Sequence, residues 1–204
     1  MSGGEVSFFT ASDSPYGKTY GNWTVEWWRW VLGIMKSINP VIDTTGENAD
    51  INGQVRDVIF LAGKLAEEAG SLPKRRCTIS AEKSILIPVI NCEANPLEYP
   101  ELKTDQDIIE RVLNDENTII HAECYVDGSK ITPERIRSDP AIFVINMAED
   151  NLFNVNGGGI TRASSDGYWT FLKPLSKGEH TITFEGSCEN GKLRSGAIYD
   201  IEVR

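Results

Sequence analysis

The sequence predicts a mainly β, α+β fold: an antiparallel β-sandwich or jelly roll with an N-terminal aromatic helix and one further helix near 104–115. Three observations predict it. The last sixty residues hold three β-rich runs, Tyr168–Leu172, Glu179–Phe184 and Ala197–Val203, separated by Gly-rich turns. Strands at roughly 8–12-residue spacing are the mark of a sandwich. Four of the five tryptophans fall in Trp23-Thr-Val-Glu-Trp27-Trp28-Arg-Trp30. Trp23, Trp27, Trp30, Val31, Ile34 and Ile38 share one helical face, with Glu26, Arg29 and Lys36 opposite. Thr104 with Asp107 forms a capping-box pattern ahead of Ile108, Ile109, Val112 and Leu113.

Residues 1–21 read as an extended lead-in, with Tyr16-Gly17 and Tyr20-Gly21 as turn signals. Asn22 is the expected helix cap, and the helix stops before Asn39-Pro40 because the residue preceding proline avoids helical geometry. Residues 43–56 form a polar loop. A strand at 57–62 is followed by a short helical turn through Leu65, Ala66 and Ala69. Residues 76–80 and 84–91 are strands joined by a turn, and Pro88 marks an edge or a bulge. A loop covers 92–101. Ile119–Val126 is a strand ending at the hairpin turn Asp127-Gly128. Ala141–Asn146 is another, and 150–159 is a glycine-rich connection. The whole chain reads as a single domain, 1–204, with 1–40 packed on a sandwich formed by about 57–204.

The chain has 204 residues and a net charge of −10. That length buries a core without metals or disulfides. The acidic balance argues against nucleic acid and anionic membranes, which select basic patches. No run approaches the ~20 apolar residues of a membrane span. The N-terminus lacks a signal pattern, so a cytoplasmic location is expected, or export if a signal has been removed. Cys77, Cys92, Cys124 and Cys188 have no ligand-like spacing. They read as buried free thiols, with disulfides open only for an exported protein. No metal and no cofactor is expected.

Several motifs run in order through most of the chain. They are Tyr16-Gly…Tyr20-Gly-x-Trp23-x-x-x-Trp27-Trp28-x-Trp30, Phe60-Leu-Ala-Gly63, Arg76-Cys-Thr-Ile, Ile87-Pro-x-x-Asn91-x-Glu93, and Asp166-Gly-Tyr-Trp169 through His180 to Phe184. In these the chain resembles an uncharacterised family of bacterial and archaeal genomes. The resemblance implies a shared fold and carries over no catalytic residue. Members of that family often look exported, with a signal ahead of the Tyr-Gly motif.

Trp23, Trp27 and Trp30 line up with aliphatic residues and read as core. Trp28, at the edge of that face, is the candidate for stacking on an outside ligand, together with Tyr99, Tyr168 and Trp169. Tyr168 and Trp169 point to opposite sides of their strand. Carboxylates are the plentiful catalytic group, and Glu26, Glu93, Glu98 and Asp166 are the candidates for an acid–base pair. Their bland alternative is surface charge or a structural ion pair. His180 shares a strand face with Ile182 and Phe184 and reads as a core histidine rather than a catalytic base. Asp150, Asn151, Asn154 and Asn156 alternate like calcium ligands but lack the closing glutamate. The reading that fits best is a noncatalytic binding or interaction module for carbohydrate or a protein partner. A carboxylate-dependent, glycosidase-like hydrolase and a structural assembly protein are the alternatives. Oligomeric state is not legible.

Overall fold

In the computed structural model, which describes residues 6–49, 57–66, 71–189 and 193–204, the tryptophan run forms helix α1 (Tyr20–Gly33). Its cap is Thr19, three residues before the expected Asn22. Asn22 instead occupies the third helical position. Its amide donates to Thr19 Oγ1 at 3.1 Å, and its side chain accepts from the Thr19 amide at 3.3 Å. The helix also ends early. Asn39, fully buried, donates from Nδ2 to the Val31 carbonyl at 2.7 Å and to the Ile34 carbonyl at 3.2 Å. It thereby satisfies carbonyls that the helix terminus leaves bare. A short 3-10 turn, Lys36–Ile38, fills the rest of the predicted helix.

The strands in chain order are β1 (Phe8–Phe9), β2 (Val58–Phe60), β3 (Lys64–Ala66), β4 (Lys74–Ile79), β5 (Ser84–Ala94), β6 (Ile119–Val126), β7 (Ser129–Ile131), β8 (Glu134–Arg135), β9 (Phe143–Met147), β10 (Gly159–Leu172), β11 (Gly178–Cys188) and β12 (Arg194–Val203). One sheet runs β1-β10-β5-β2, with β8 and β9 also on β10. The other runs β3-β12-β11-β6-β7, with β4 also on β12. Most pairs are antiparallel as expected, but β2 with β5 and β4 with β12 are parallel. The runs 76–80 and 84–91 therefore do not form a hairpin; they belong to different sheets. The predicted bulge lies beside Pro88, at Val89, which the β5–β10 register skips. Helix α2 (Asp105–Glu116) carries the expected Thr104–Asp107 capping box.

The result is three layers. Val58, Phe60 and Leu86 face α1, while Ile59, Leu61, Ile85 and Ile87 face the second sheet. Burial on both faces explains why these strands read as continuous apolar runs. In place of the predicted helical turn after residue 62, the chain stays extended and crosses between sheets. Of the residues given to that turn, Ala69 lies outside the described residues, as do 50–56 of the predicted loop. The crossing, Leu61–Gly63, is held by side chains from three elements. Trp27 Nε1 donates to the Leu61 carbonyl at 2.8 Å, and the Tyr199 hydroxyl donates to the Ala62 carbonyl at 2.9 Å. Buried Arg75 also donates to the Ala62 carbonyl.

Candidate functional site

Because β2 leaves its sheet at Phe60, β5 has a strand on that edge only over Ser84–Leu86. Beyond it, among the described residues, the edge is open. A cavity of about 440 Å³ lies there. Its walls are α1 (Trp27, Trp28, Val31), the end of β5 (Pro88 to Glu93), the following loop (Glu98, Tyr99), α2 (Arg111, Asp115) and the facing sheet (Gly63, Cys188, Ser195). Leu152 and Phe153 add apolar surface.

Four of the sequence candidates meet in this cavity: Trp28, Glu93, Glu98 and Tyr99. Trp28 is not an exposed platform, since only 6% of it reaches solvent. It packs edge-on against Trp27 at 4.9 Å, and its Nε1 has no hydrogen-bond partner. Asn91 Nδ2 and Glu98 Oε2 are likewise buried without partners. Buried polar atoms are ordinarily satisfied, so three orphans among the residues lining one cavity mark a place where polar atoms of something else belong.

The two carboxyls sit in unusual surroundings. Burial pushes the Glu93 carboxyl well above the ordinary range, and the charge of Glu98 adds to it. Asn95 Nδ2 donates to both Glu93 oxygens, at 3.2 and 3.3 Å. Burial also raises Glu98, against the pull of a hydrogen bond with Tyr99 and the Arg111 charge. Arg111 stacks on the Tyr99 ring at 3.9 Å and donates from Nε to Asp115 at 2.6 Å. Burial drives the Cys92 and Cys188 thiols, which also line the cavity, upward, and this keeps them protonated and poor nucleophiles.

The other candidates lie elsewhere. Glu26 is on the outer face of α1, paired with Lys18 at 3.2 Å and Arg29 at 3.6 Å. Asp166 is buried and bridged by Arg135 at 2.9 Å and Arg137 at 3.0 Å, a structural ion pair rather than a catalytic acid. Trp169 is core, 5.4 Å from the Trp27 ring, and Tyr168 packs on the inter-sheet side. Neither reaches the cavity. His180 does lie on the apolar face of β11, but at its polar end. Its Nδ1 is 2.7 Å from Asp127 Oδ2, and its Nε2 is 2.8 Å from the Ser176 carbonyl and 3.3 Å from Ser176 Oγ. A carbonyl oxygen only accepts, so Nε2 carries a proton and cannot draw one from Ser176. The constellation has the members of a serine-hydrolase triad without its chemistry. In the 150–159 loop, Asn151 spends its amide on the loop backbone, and Lys36 Nζ sits 2.6 Å from Asn154 Oδ1 where a cation would have to bind. Among the described residues no group of three His, Cys, Asp or Glu is placed to hold a metal. No helix among them is long and apolar enough to cross a membrane.

Asn91, Trp27, Arg111 and Phe153 were not marked as site residues by the sequence. The signal at Asn91 was a polar residue closing the apolar run of β5.

No family model matches the chain, and no curated protein does. Among solved structures, the chain is similar to one from a structure of PbICP-C in complex with falcipain-2, at 12% identity and a TM-score of 0.33. The match covers 72% of this chain and 99% of that one.

Proposed function

We propose that the protein is a noncatalytic binding module that holds a carbohydrate ligand in the cavity beside β5. The observation that carries this reading is the set of orphaned atoms, Trp28 Nε1, Asn91 Nδ2 and Glu98 Oε2, lining one cavity together with aromatic rings. Two of these are donors and one is an acceptor. A sugar hydroxyl both donates and accepts, so a ring of hydroxyls serves all three. The apolar C–H face of the sugar meets Tyr99, Phe153 and the tryptophan edge, as is usual for small-ligand sites that combine apolar walls with a few placed polar groups.

The test is calorimetric titration of the full chain with a panel of disaccharides, beside Trp fluorescence, which reports the cavity through Trp27 and Trp28. Saturable binding is expected, together with an affinity about tenfold lower in Trp28→Phe, which keeps a smaller aromatic ring and removes the N–H. A panel with no saturable binder overturns the reading. The hydrolase alternative also has an observation behind it, since Glu93 and Glu98 share the cavity. It predicts release of reducing ends on long incubation, lost in both Glu93→Gln and Glu98→Gln.

A further inference from the structure

The charges around the cavity narrow the class of ligand. Its described walls carry four acids, Glu93, Glu98, Asp115 and Glu189, against one base, Arg111. Arg111 is already engaged by Asp115 and by Glu101 at 4.0 Å, and its guanidinium lies on Tyr99. Among the described residues lining the cavity there is no second base, and the charge of Arg111 reaches Glu98 but does not offset its burial. Glu93 is almost wholly buried, and its two oxygens share the one amide of Asn95. Glu98 Oε2 has no partner at all. A carboxyl pair removed from water wants a counter-charge or a proton.

An amine alone does not complete the site, because Trp28 Nε1 and Asn91 Nδ2 are donors and an ammonium has no lone pair to offer them. A neutral sugar serves those donors but leaves the acids without a counter-charge. We infer that the ligand is a sugar bearing a protonated amino group, with the ammonium against Glu93 and Glu98 and the hydroxyls toward Trp28 and Asn91. This rests on the carbohydrate reading above. An ammonium supplies three donors, enough for Glu98 Oε2 and the remaining lone pairs of Glu93. The upward push on both carboxyls agrees with a pair that lacks its positive partner.

The experiment titrates the full chain with three β-1,4-linked disaccharides: that of glucosamine, its fully N-acetylated form, and that of glucose. The glucosamine form is expected to bind at least about tenfold more tightly than either neutral one. Glu93→Gln is expected to bring the ratio of amine to neutral-sugar affinity down to about one. Glu98→Gln, at a less buried position, is expected to lower the same ratio and guards against a Glu93 variant that fails to fold. Equal binding of all three disaccharides overturns the inference and leaves the carbohydrate reading standing. Tighter binding of the amine that survives both substitutions also overturns it, since the preference then comes from the net negative surface. Binding of none overturns the inference and the carbohydrate reading together.

Discussion

Glu116 closes α2 with its side chain wholly out of solvent and its Oε1 4.0 Å from Arg135 Nε. Burial, and then the nearby charge of Asp166, pushes its carboxyl up to about 8 from an ordinary 4.5. An acid whose pKa is higher in the folded state binds more protons folded than unfolded. Stability must then fall as pH rises between those two values, at about 1.4 kcal/mol per unit. We expect urea midpoints to decline from pH 4.5 to 8 and to decline less steeply in Glu116→Gln, since Glu93 and Glu98 are raised as well; parallel slopes would show that Glu116 is charged in the fold. His180 works in the same direction. Burial lowers its pKa, but the bonds to Asp127 and the Ser176 carbonyl outweigh that and raise it above 6.5. Its contribution is full below the unfolded pKa and is lost as pH rises through the folded one. In Asp127→Asn, an NMR titration should find the His180 pKa lower than in the wild type. An unchanged value would mean the 2.7 Å contact is not made in solution.

At the scale of elements, α1 depends on its cap and its rings. Thr19→Ala should cost about 1 kcal/mol through the lost cap, and Trp169→Ala about 3–5 kcal/mol through the cavity it leaves under Trp27. Denaturant unfolding of the two variants distinguishes these magnitudes, and a Trp169 variant as mild as the Thr19 one would deny that ring its place in the core. The helix was legible because tryptophans and aliphatics repeat at its period, and α2 because its capping box is local. The ends of α1 were not legible: Asn39 terminates it from six residues beyond Gly33. Most of β10 was hidden too. Ser164, Ser165 and Asp166 are buried yet polar, so they show none of the alternation that marks a strand. Ser138 Oγ accepts from the Ser165 amide and arginines reach Asp166, which is how that polarity is tolerated. Parallel pairing of β2 with β5 and of β4 with β12 is a long-range choice that no local pattern encodes. Of the site, Glu93, Glu98, Trp28 and Tyr99 were legible as chemistry near the end of a buried strand. Their convergence with Arg111 and Gly63 depends on the sheets, and so it was not.

For the molecule as a whole, the decisive event is the crossing at Leu61–Gly63. It carries the chain from one sheet to the other and opens the edge of β5 that the cavity uses. The crossing is tight. A Cβ on Gly63 would lie 2.4 Å from Ser195 Oγ, 3.0 Å from the Gly196 amide nitrogen and 3.2 Å from the Phe184 ring. Gly63 and Ser195 both line the cavity, so their approach sets how closely its two walls meet. Gly63→Ala should therefore cost about 1–3 kcal/mol by overpacking and also weaken ligand binding, because the wall itself must move. Gly128 supplies the contrast. It sits at the tip of the β6–β7 hairpin with φ +79° and open space around it. Gly128→Ala should cost about 1–2 kcal/mol through backbone strain alone and leave binding as it was. Unfolding with and without the bound disaccharide separates the two cases, since the ligand adds less stability to a protein whose site is damaged. If the Gly63 variant is destabilised yet gains as much from ligand as the Gly128 variant does, the crossing holds the sheets together but does not shape the site.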